Sequence, residues 1–401
     1  MNKENVKRYL KLACVVVFSM MLGSVITILL KNDSTIEKSP IGKKTIKNSN
    51  YSEFDPLYET YDAIMSEYYK EVDSSVLIDG ALNGMLGALD DKHTMYFNKK
   101  EKEDFDTELS GTYYGIGAQI QLTQEKRVKI IKIFDDAPAA KAGLKVGDIF
   151  VKIDGESTEG MDATDVANKL RSDKVKTAKI IIDRDGKEIE FSVKKENVTM
   201  FSVSSEMINK NDKNIGYISV SIFGQKTYYQ FYDALNKLEN DDMDSLIIDL
   251  RGNTGGYLST VTNMLELFVE KDKILYQMQT NEGTIEYKSQ TKQNKDYSIV
   301  ILIDDGSASA SEIMAAAMKE DYGAVLVGKT TYGKGTVQTT KDLSNGTMIK
   351  YTIEKWLTPS GNNIDGEGIT PDYEVDLSEE YKNNPIKEND YQLQKALELL
   401  K

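Results

Sequence analysis

The sequence predicts a multidomain α/β protein with a single transmembrane helix near its N-terminus. Three observations support this prediction: the chain has 401 residues, residues 12–30 carry no charged side chain, and in the second half of the chain apolar strands alternate with helices. A chain of this length is sufficient for two or three domains with separate cores. Alternating strands and helices are typical of an α/β sheet. The formal net charge of −14 argues against a general nucleic-acid-binding protein.

The first predicted element is a membrane anchor at residues 12–30, which together with a short cytoplasmic tail makes up residues 1–31. A helix of this length spans about 28 Å, close to the hydrocarbon core of roughly 30 Å. Basic residues outnumber acidic ones before the apolar run, so we expect the N-terminus inside the cell and the later domains outside the cytoplasmic membrane. The alternative is a cleaved signal peptide, although the run is long and no clear Ala-x-Ala site follows it.

Residues 32–50 are rich in Ser, Thr, Lys and Asn and are predicted to be a linker. The only cysteine is Cys14, so the sequence allows neither an internal disulfide nor a cysteine metal site.

Residues 51–104 are predicted to form a helical segment. Its apolar residues recur at helical spacing from Leu57 to Tyr68, and residues 76–89 predict a second helix. The only histidine, His93, follows this helix, and we interpret it as a structural hydrogen-bonding residue. The acidic residues between 101 and 106 lack the spacing of a calcium loop and are expected to be solvated.

Residues 105–196 resemble a PDZ domain. The resemblance rests on the run APAAKAGLKVGDI at residues 137–149, with a strand predicted before it, a helix at 164–171 and a closing strand at 178–184. In such a domain an extended peptide adds to a sheet edge and backbone amides bind its terminal carboxylate. The candidate loop precedes the first strand and consists of Tyr114, Gly115, Ile116 and Gly117. An ordinary glycine turn is the alternative interpretation of this loop.

Residues 197–378 are predicted to form an α/β body. Strands are expected at 215–220, 246–250, 299–303 and 324–328, and helices at 227–238 and 313–318. The strand at 246–250 runs into the glycine-rich turn RGNTGG at 251–256, where free backbone amides can bind an anion. The spacing of the glycines is not that of a phosphate-binding P-loop.

A serine-rich turn follows the strand at 299–303 and leads into a helix. A serine at such a turn lies beside unpaired amides at the positive end of the helix dipole, a setting that suits an attacking hydroxyl. The candidates are Ser307, Ser309 and Ser311, and the residues alone do not select one. Lys334 lies between two glycines, and burial would lower the pKa of its amine enough to accept a serine proton. Gln338 lies four residues further on and can orient that amine.

These motifs together resemble the carboxyl-terminal processing proteases, also called tail-specific proteases. The resemblance extends over roughly residues 51–400 and is carried by GSASASE at 306–312, YGKGTVQ at 332–338, and the closing motifs WLTPSG at 356–361 and GEGITPD at 366–372. The run DLRGNTGG at 249–256 fits the family as well, with Thr254 where members often have proline.

The resemblance implies a Ser-Lys catalytic dyad assisted by Gln, with Ser309 as nucleophile, Lys334 as base and Gln338 as its orienting partner. It implies an oxyanion hole formed by the N–H groups of Gly255 and Ala310. The body is expected to resemble the crotonase and Clp-protease fold. Neither a metal ion nor a cofactor is implied.

The function that follows is a membrane-anchored serine endopeptidase outside the cytoplasmic membrane, acting in processing or signalling. Its expected partners are proteins or peptides with free C-terminal tails, and the membrane through residues 12–30. Two alternatives stay open: a non-catalytic PDZ adaptor with an inert protease body, and a peptide-sensing regulator whose protease is usually switched off.

Residues 379–401 are predicted to end in a helix with an apolar stripe that includes Leu393, Ala396, Leu397 and Leu400. This stripe can dock on the protein's own body or on a second subunit. Some relatives dimerise through their termini, so the resemblance also implies a homodimer.

Overall fold

The structure is a computed structural model that describes residues 51–134, 136–172, 175–292, 295–383 and 386–400. The anchor predicted at residues 12–30 and the linker at 32–50 lie outside the described residues. Within the described ranges, no helix combines the length and the apolar character that crossing a bilayer requires. The described chain divides into two units, one comprising residues 51–67 and Thr280–Gly283, the other residues 68–279 and 284–400.

The first unit contains helix α1, Asp55–Glu67, preceded by a 3-10 turn at Tyr51–Phe54. Apolar residues recur along α1 as the sequence predicts, but none of its side chains is buried.

The second unit begins with the rest of the N-terminal helical segment. Asp73 caps helix α2, Ser74–Gly87, by accepting a hydrogen bond from Ser75 N–H. Strand β1, Met95–Phe97, and helix α3, Lys99–Ser110, follow. A capping box between Asn98 and Glu101 starts α3, which ends at Gly111 in a left-handed conformation.

The predicted PDZ domain is a sheet with strand order β3-β4-β5-β7-β8, in which β3 lies at an edge. Helices α4 and α5 pack against this sheet around a core that includes Ile130, Ile180 and Val166. A two-stranded ribbon of β2 and β9 flanks the domain in the chain. The bounds are β2 Thr112–Gly115, β3 Ala118–Leu122, β4 Val128–Ile133, α4 Pro138–Ala142, β5 Ile149–Ile153, β6 Glu156–Ser157, α5 Ala163–Arg171, β7 Thr177–Arg184, β8 Lys187–Lys194 and β9 Glu196–Thr199.

The α/β body contains a six-stranded sheet with strand order β10-β11-β12-β15-β16-β19. All neighbours from β11 onward are parallel, and only β10 is antiparallel. The strands are β10 Val203–Lys210, β11 Lys213–Val220, β12 Ser245–Asp249, β15 Ile299–Ile303, β16 Val325–Gly328 and β19 Tyr373–Glu374. Every residue of β12 and β15 is buried, as expected for parallel strands that are covered on both faces.

Helices cover both faces of this sheet. On one face α6 Thr227–Asn240, α7 Leu258–Leu265 and α8 Ala310–Ala317 enclose the main core. On the other face α10, Tyr391–Leu399, packs against β15 and β16 through its apolar stripe. The C-terminal helix therefore docks on the protein's own body, one of the two sites that the sequence left open. The short helix α9, Glu379–Asn383, precedes it.

A second sheet, with order β1-β18-β13-β14 and β17 paired to β18, borders the first. Its strands are β13 Ile274–Thr280, β14 Gly283–Lys288, β17 Thr336–Asp342 and β18 Met348–Leu357. Strand β1 pairs with β18, so that Met95 lies opposite Lys350. This pairing attaches β1 to the strand pair that follows the Lys334 loop.

The helix predicted at 313–318 begins earlier than expected, at Ala310, and continues as a π-turn at Met318–Tyr322. The helix begins directly after Ser309, whose backbone dihedral angles lie outside the helical region.

Candidate active site

The turn between β15 and α8 distinguishes the three candidate serines. Ser307 Oγ donates to the Leu250 carbonyl, and Ser311 Oγ donates to the Asn253 carbonyl, both at 2.8 Å. Both serines are fully buried and fasten the turn to the loop after β12. Ser309 is partly exposed and has φ +56° and ψ −113°, a conformation that L-residues rarely adopt. The structure therefore gives Ser309 the accessible hydroxyl and the strained backbone.

Glu312 connects the serine turn to the lysine loop, a role that the sequence analysis did not predict. The Ser309 N–H donates to Glu312 Oε2 at 2.8 Å, and the Lys334 N–H donates to the same oxygen at 2.9 Å. Oε1 accepts from Thr331 Oγ1 at 2.6 Å and from the Gly333 N–H at 2.7 Å. One fully buried carboxylate thus holds the backbones of the candidate nucleophile and the candidate base.

Two further contacts hold the Lys334 loop. The Lys334 carbonyl accepts from Trp356 Nε1 at 2.8 Å, and the Gly335 N–H donates to Asp365 Oδ1 at 3.1 Å. Trp356 is fully buried. A Cβ on Gly333 would lie 2.9 Å from Gly368 N, so the glycine permits the close approach of two loops.

Burial lowers the pKa of Lys334 to about 8, with the nearby Lys350 ammonium as the second cause. Glu312 and Asp91 act in the opposite direction. Lys350 is itself partly buried, and its ammonium lies over the rings of Phe97 and Phe105 at 5.3 and 5.5 Å from their centroids. The Lys334 amine is therefore partly neutral near neutral pH, unlike the amine of a solvated lysine.

A cleft of about 630 Å³ contains the predicted catalytic residues. Its lining includes Ser309, Lys334 and Gln338, together with Gly255 and Ala310. The structure therefore places all five residues of the predicted catalytic centre and oxyanion hole at one cavity. Among the described residues, no hydrogen bond joins Ser309 Oγ to Lys334 Nζ, and catalytic hydrogen bonds are often long before substrate binds.

The loop after β12 packs directly against the serine turn. A Cβ on Gly255 would lie 2.8 Å from the Ala308 carbonyl oxygen and 2.9 Å from Ser309 Cβ, so only glycine fits there. The Gly255 N–H donates to Asn253 Oδ1 at 2.9 Å. In the part of the chain that the structure describes, the Ala310 N–H has no hydrogen-bond partner. The free donor at the start of α8 is therefore Ala310, while the Gly255 donor is engaged.

Asp249 and Arg251, the charged residues of the Asp249-Leu250-Arg251 motif, do not line the cleft that contains Ser309 and Lys334. Arg251 donates to Asp249 Oδ2 at 2.6 Å and to Asp390 Oδ2 at 2.8 Å. It also donates to Gln392 Oε1 at 3.0 Å, and Tyr217 donates to Asp249 Oδ2 at 2.6 Å. These contacts join the carboxyl end of β12 to the start of α10.

His93 lies close to the lysine loop without contacting the serine. Burial lowers the pKa of His93, and the charge of Lys334 contributes to the same effect. Its Nε2 atom is buried and has no partner among the described residues. Its ring faces Tyr332 with the centroids 6.4 Å apart.

A second cavity, of about 540 Å³, lies in the PDZ-like domain between edge strand β3 and helix α5. Of the four residues predicted to bind a peptide tail, Gly115 and Ile116 line this groove. Tyr114 pairs with Asn197 in the β2–β9 ribbon, and Gly117 turns the chain with φ +77°. Tyr113 and Arg171 also line the groove, and the Arg171 guanidinium lies 5.3 Å from the centre of the Tyr113 ring.

Three family models match the chain. The model of peptidase family S41 matches residues 214–375, a PDZ domain model matches residues 135–184, and the model of the N-terminal domain of the activating protease CtpB matches residues 18–101. The S41 match spans the glycine-rich turn, the serine turn and the lysine loop.

Two curated relatives come from Bacillus subtilis strain 168. The chain is 36% identical over 373 residues to the carboxy-terminal processing protease CtpA, which covers 92% of this chain and 78% of the relative. It is 36% identical over 335 residues to the carboxy-terminal processing protease CtpB, covering 83% of this chain and 70% of the relative. A solved structure from Bacteroides fragilis, described as an S41 protease, has a TM-score of 0.53 at 15% identity and covers 85% of this chain and 96% of that one. This last likeness concerns the fold alone.

Proposed function

The chain belongs to the carboxy-terminal processing proteases of peptidase family S41 and is a serine-type peptidase, and from this premise we propose how it works and where. It is a membrane-anchored endopeptidase outside the cytoplasmic membrane. It selects proteins by their C-terminal tails and cleaves them with a Ser309–Lys334 dyad. The anchor rests on the uncharged run at residues 12–30 and the basic residues before it.

The observation that best supports the dyad is that Ser309 and Lys334 both bind the carboxylate of Glu312. Its hydrogen bonds to the Ser309 and Lys334 N–H groups fix both backbones at one point. Both side chains open into the same cleft, and burial lowers the pKa of Lys334 to about 8. A lysine with such a pKa can act as a general base near neutral pH, because part of it is neutral.

The reaction then proceeds in two acyl-transfer steps. The neutral Lys334 amine accepts the proton of Ser309 Oγ as the oxygen attacks the peptide carbonyl carbon. The tetrahedral intermediate collapses, its C–N bond breaks, and the leaving amine takes the proton from the Lys334 ammonium. Water, deprotonated by the same amine, then attacks the acyl carbon; the bond to Ser309 Oγ breaks, and the Lys334 ammonium returns the proton to that oxygen.

The oxyanion requires donors beside Ser309. The free Ala310 N–H at the start of α8 lies at the positive end of the helix dipole and supplies one. The Gly255 N–H is the second donor, for which it must exchange Asn253 Oδ1 for the oxyanion.

Tail recognition uses the groove between β3 and α5. Since β3 is an edge strand, an extended peptide can pair with it, and the connection from the end of β2 to β3, at Gly115 and Ile116, would bind its terminal carboxylate. We include a homodimer in the proposal because the family resemblance implies one.

The test compares Ser309→Ala and Lys334→Ala in the full chain with the natural enzyme. We expect each variant to lose about 10⁴-fold or more in kcat/KM on a tailed protein substrate, since both groups act in the same step. Lys341→Ala, an exposed lysine of β17, is the matched control and should keep full activity. Full activity in either dyad variant, with folding verified by thermal unfolding, would remove the mechanism.

A fluorophosphonate probe separates the enzyme from a non-catalytic PDZ adaptor. The probe should label the natural protein at Ser309 and leave Ser309→Ala unlabelled. An adaptor with an inert body would bind tailed peptides while its serine stays unlabelled under every condition, including peptide saturation.

A further inference from the structure

We propose that the free edge of strand β17, formed by the backbone groups of Gln338 and Thr340, binds the main chain of the substrate. The substrate adds to this edge as a further strand beside Ser309 and Lys334. Its recognised part is a segment in extended conformation, bound through its own N–H and C=O groups. The proposal rests on the proposed function and deepens it, because it names what the catalytic cleft binds.

Strand β17 has a single strand partner among the described residues, β18. Lys350 of β18 lies opposite Thr340 of β17 and also opposite Met95 of β1, so β17 and β1 lie on opposite sides of β18. Both sides of β18 are therefore used at this point, whereas the second side of β17 carries no strand. Such a side presents a row of N–H and C=O groups that can bind another extended chain.

Two backbone hydrogen bonds show which residues of β17 face β18. Before the start of β17, the Gly335 carbonyl accepts from the Trp356 N–H at 3.0 Å. After its end, the Leu343 N–H donates to the Thr347 carbonyl at 2.8 Å. Successive residues of a strand point their backbone groups to opposite sides, so the odd-numbered residues of β17 face β18. The one irregularity of the pairing adds a residue to β18, and the alternation along β17 is unbroken.

The even-numbered residues of β17 consequently direct their N–H and C=O groups to the free edge. A contact of β18 agrees with this, because the Thr352 N–H donates to Thr94 Oγ1 at 3.2 Å, away from β17. Thr352 is the register partner of Gln338, so this pair is not hydrogen-bonded through its backbones. Within the described ranges, no hydrogen bond from another element reaches the backbone of Gln338 or Thr340.

The free edge opens into the catalytic cleft. Residues 337–340 line the cavity of about 630 Å³ that also contains Ser309 and Lys334. Lys334 lies four residues before Gln338, and the Glu312 carboxylate binds the backbone N–H groups of both Lys334 and Ser309. A strand added to this edge, at the usual spacing of about 4.8 Å, therefore passes beside the reacting groups.

Backbone pairing makes a specific demand on the substrate. Gln338 and Thr340 each offer one N–H donor and one C=O acceptor, and they lie two residues apart. Only an extended segment can match this spacing, because its own outward groups recur every second residue. A helix or a tight turn at the cleavage site uses those groups internally, so we expect cleavage only where the substrate is locally unfolded.

The first test replaces N–H groups of the substrate one at a time. A peptide that the natural enzyme cleaves, with its cleavage site located by mass spectrometry, is made as a series with one N-methyl amide at each position except the scissile bond. N-methylation removes a donor and places a methyl group against the edge. We expect kcat/KM to fall about 10- to 100-fold at two positions that are two residues apart, and less than about threefold at their neighbours.

The second test changes the edge itself in the full chain. Thr340→Pro removes an outward N–H and no hydrogen bond to β18, a change that edge strands accept. We expect kcat/KM on the unmodified peptide to fall about tenfold or more. One of the two harmful N-methyl groups should then cause less additional loss than in the natural enzyme, because its partner at position 340 is already weakened.

Asp342→Pro is the matched control. It removes the next outward N–H of β17, at a residue that does not line the cleft, and should keep kcat/KM within about twofold. Thermal unfolding checks that both proline variants are folded. If Thr340→Pro does not fold, the N-methyl series decides alone, since it uses the natural enzyme.

Three results would overturn the proposal: tolerance of N-methylation at every position, losses without the spacing of two residues, or normal kcat/KM in folded Thr340→Pro. Ser309→Ala and Lys334→Ala, assayed with the same peptide, separate this proposal from the dyad. If both variants are inactive, a failure at the edge leaves the dyad intact; if they are active, both proposals fall.

Discussion

At the scale of single residues, the proposed dyad requires that a fraction of the Lys334 side chains be uncharged and able to act as a base. Burial lowers its pKa to about 8, and Lys350 is the next cause. Lys350 is held by the rings of Phe97 and Phe105 and lines the same cleft. The positive charge of Lys350 disfavours a positive charge on Lys334, as in other sites where neighbouring amines share a desolvated pocket.

This arrangement predicts the pH dependence of the enzyme. In the proposed dyad only the neutral Lys334 amine accepts the serine proton, so kcat/KM should rise with pH through about 8 and fall about tenfold per pH unit below it. Lys350→Met removes a repelling charge, so the pKa of Lys334 should increase and the acidic limb of the profile should move to higher pH. At pH 7 the variant should be slower than the natural enzyme.

The measurement is kcat/KM against pH for Lys350→Met, with Lys341→Met as control for the loss of any lysine from the β17–β18 pair. A profile for Lys350→Met that moves to lower pH, or that coincides with the control, would show that Lys350 does not repel the Lys334 charge.

Reasoning from single residues of the sequence predicted a group of residues that line one cavity, but not the hydrogen bonds that hold them there. The pattern did not choose among the three serines, because the choice depends on which hydroxyls find partners in the β12 loop. The Ser309-x-x-Glu312 spacing is legible as a helix cap. That the same carboxylate binds the Lys334 loop depends on tertiary contacts, which no local pattern contains.

At the scale of elements, the Asp249-Leu250-Arg251 motif and helix α10 form one structural unit. Burial alone would lower the pKa of Arg251, but its pairing with Asp249 and Asp390 raises that pKa well above its ordinary value. Asp390 also caps α10 by accepting from the Leu393 N–H at 3.0 Å. The strand that leads into the glycine-rich turn is therefore braced by the C-terminal helix. Local sequence patterns predicted each element separately but contained no sign of this contact across 139 positions.

Asp390→Ala tests this brace. The substitution removes a helix cap and leaves a buried guanidinium with half of its carboxylate partners, so the free energy of unfolding should fall by about 2–4 kcal/mol. Glu398→Ala, at an exposed acid of the same helix, should change it by less than about 0.5 kcal/mol. Chemical denaturation of both variants gives the comparison. Equal changes in the free energy of unfolding would mean that the contacts of Asp390 with Arg251 and with the start of α10 do not stabilise the fold.

At the scale of the whole molecule, helix α3 lies between the two cavities. Lys100 and Asp104 line the groove of the PDZ-like domain, whereas Phe105 and Glu108 line the catalytic cleft. Asp104 also faces Arg171 of the groove, 3.9 Å from its guanidinium. Alternating strands and helices were sufficient to predict the α/β body, and a motif was sufficient to predict the PDZ-like domain. The shared helix follows only from how the domains pack.

This placement predicts that tail binding changes the rate of cleavage. Ser309 and Lys334 share the cleft, but in the described structure no hydrogen bond joins Ser309 Oγ to Lys334 Nζ. A ligand in the groove that shifts α3 can bring these two atoms within hydrogen-bonding distance. A peptide with a free C-terminal carboxylate should therefore raise kcat on a second substrate that lacks a recognised tail. The same peptide with an amidated C-terminus is the control and should have no effect, because the proposed tail site recognises a free carboxylate. Inhibition by the free-acid peptide would show that it competes at the cleft instead.

The left-handed backbone of Ser309 has a consequence for evolution and for engineering. Glycine would adopt this geometry without strain, whereas serine bears a cost of roughly 1–3 kcal/mol there. The fold thus tolerates a penalty at the position that we propose to carry the attacking hydroxyl. Selection for thermal stability alone would favour replacing Ser309, which gives a more stable but inactive protein. Position 309 should therefore be kept as serine when the protein is engineered for stability.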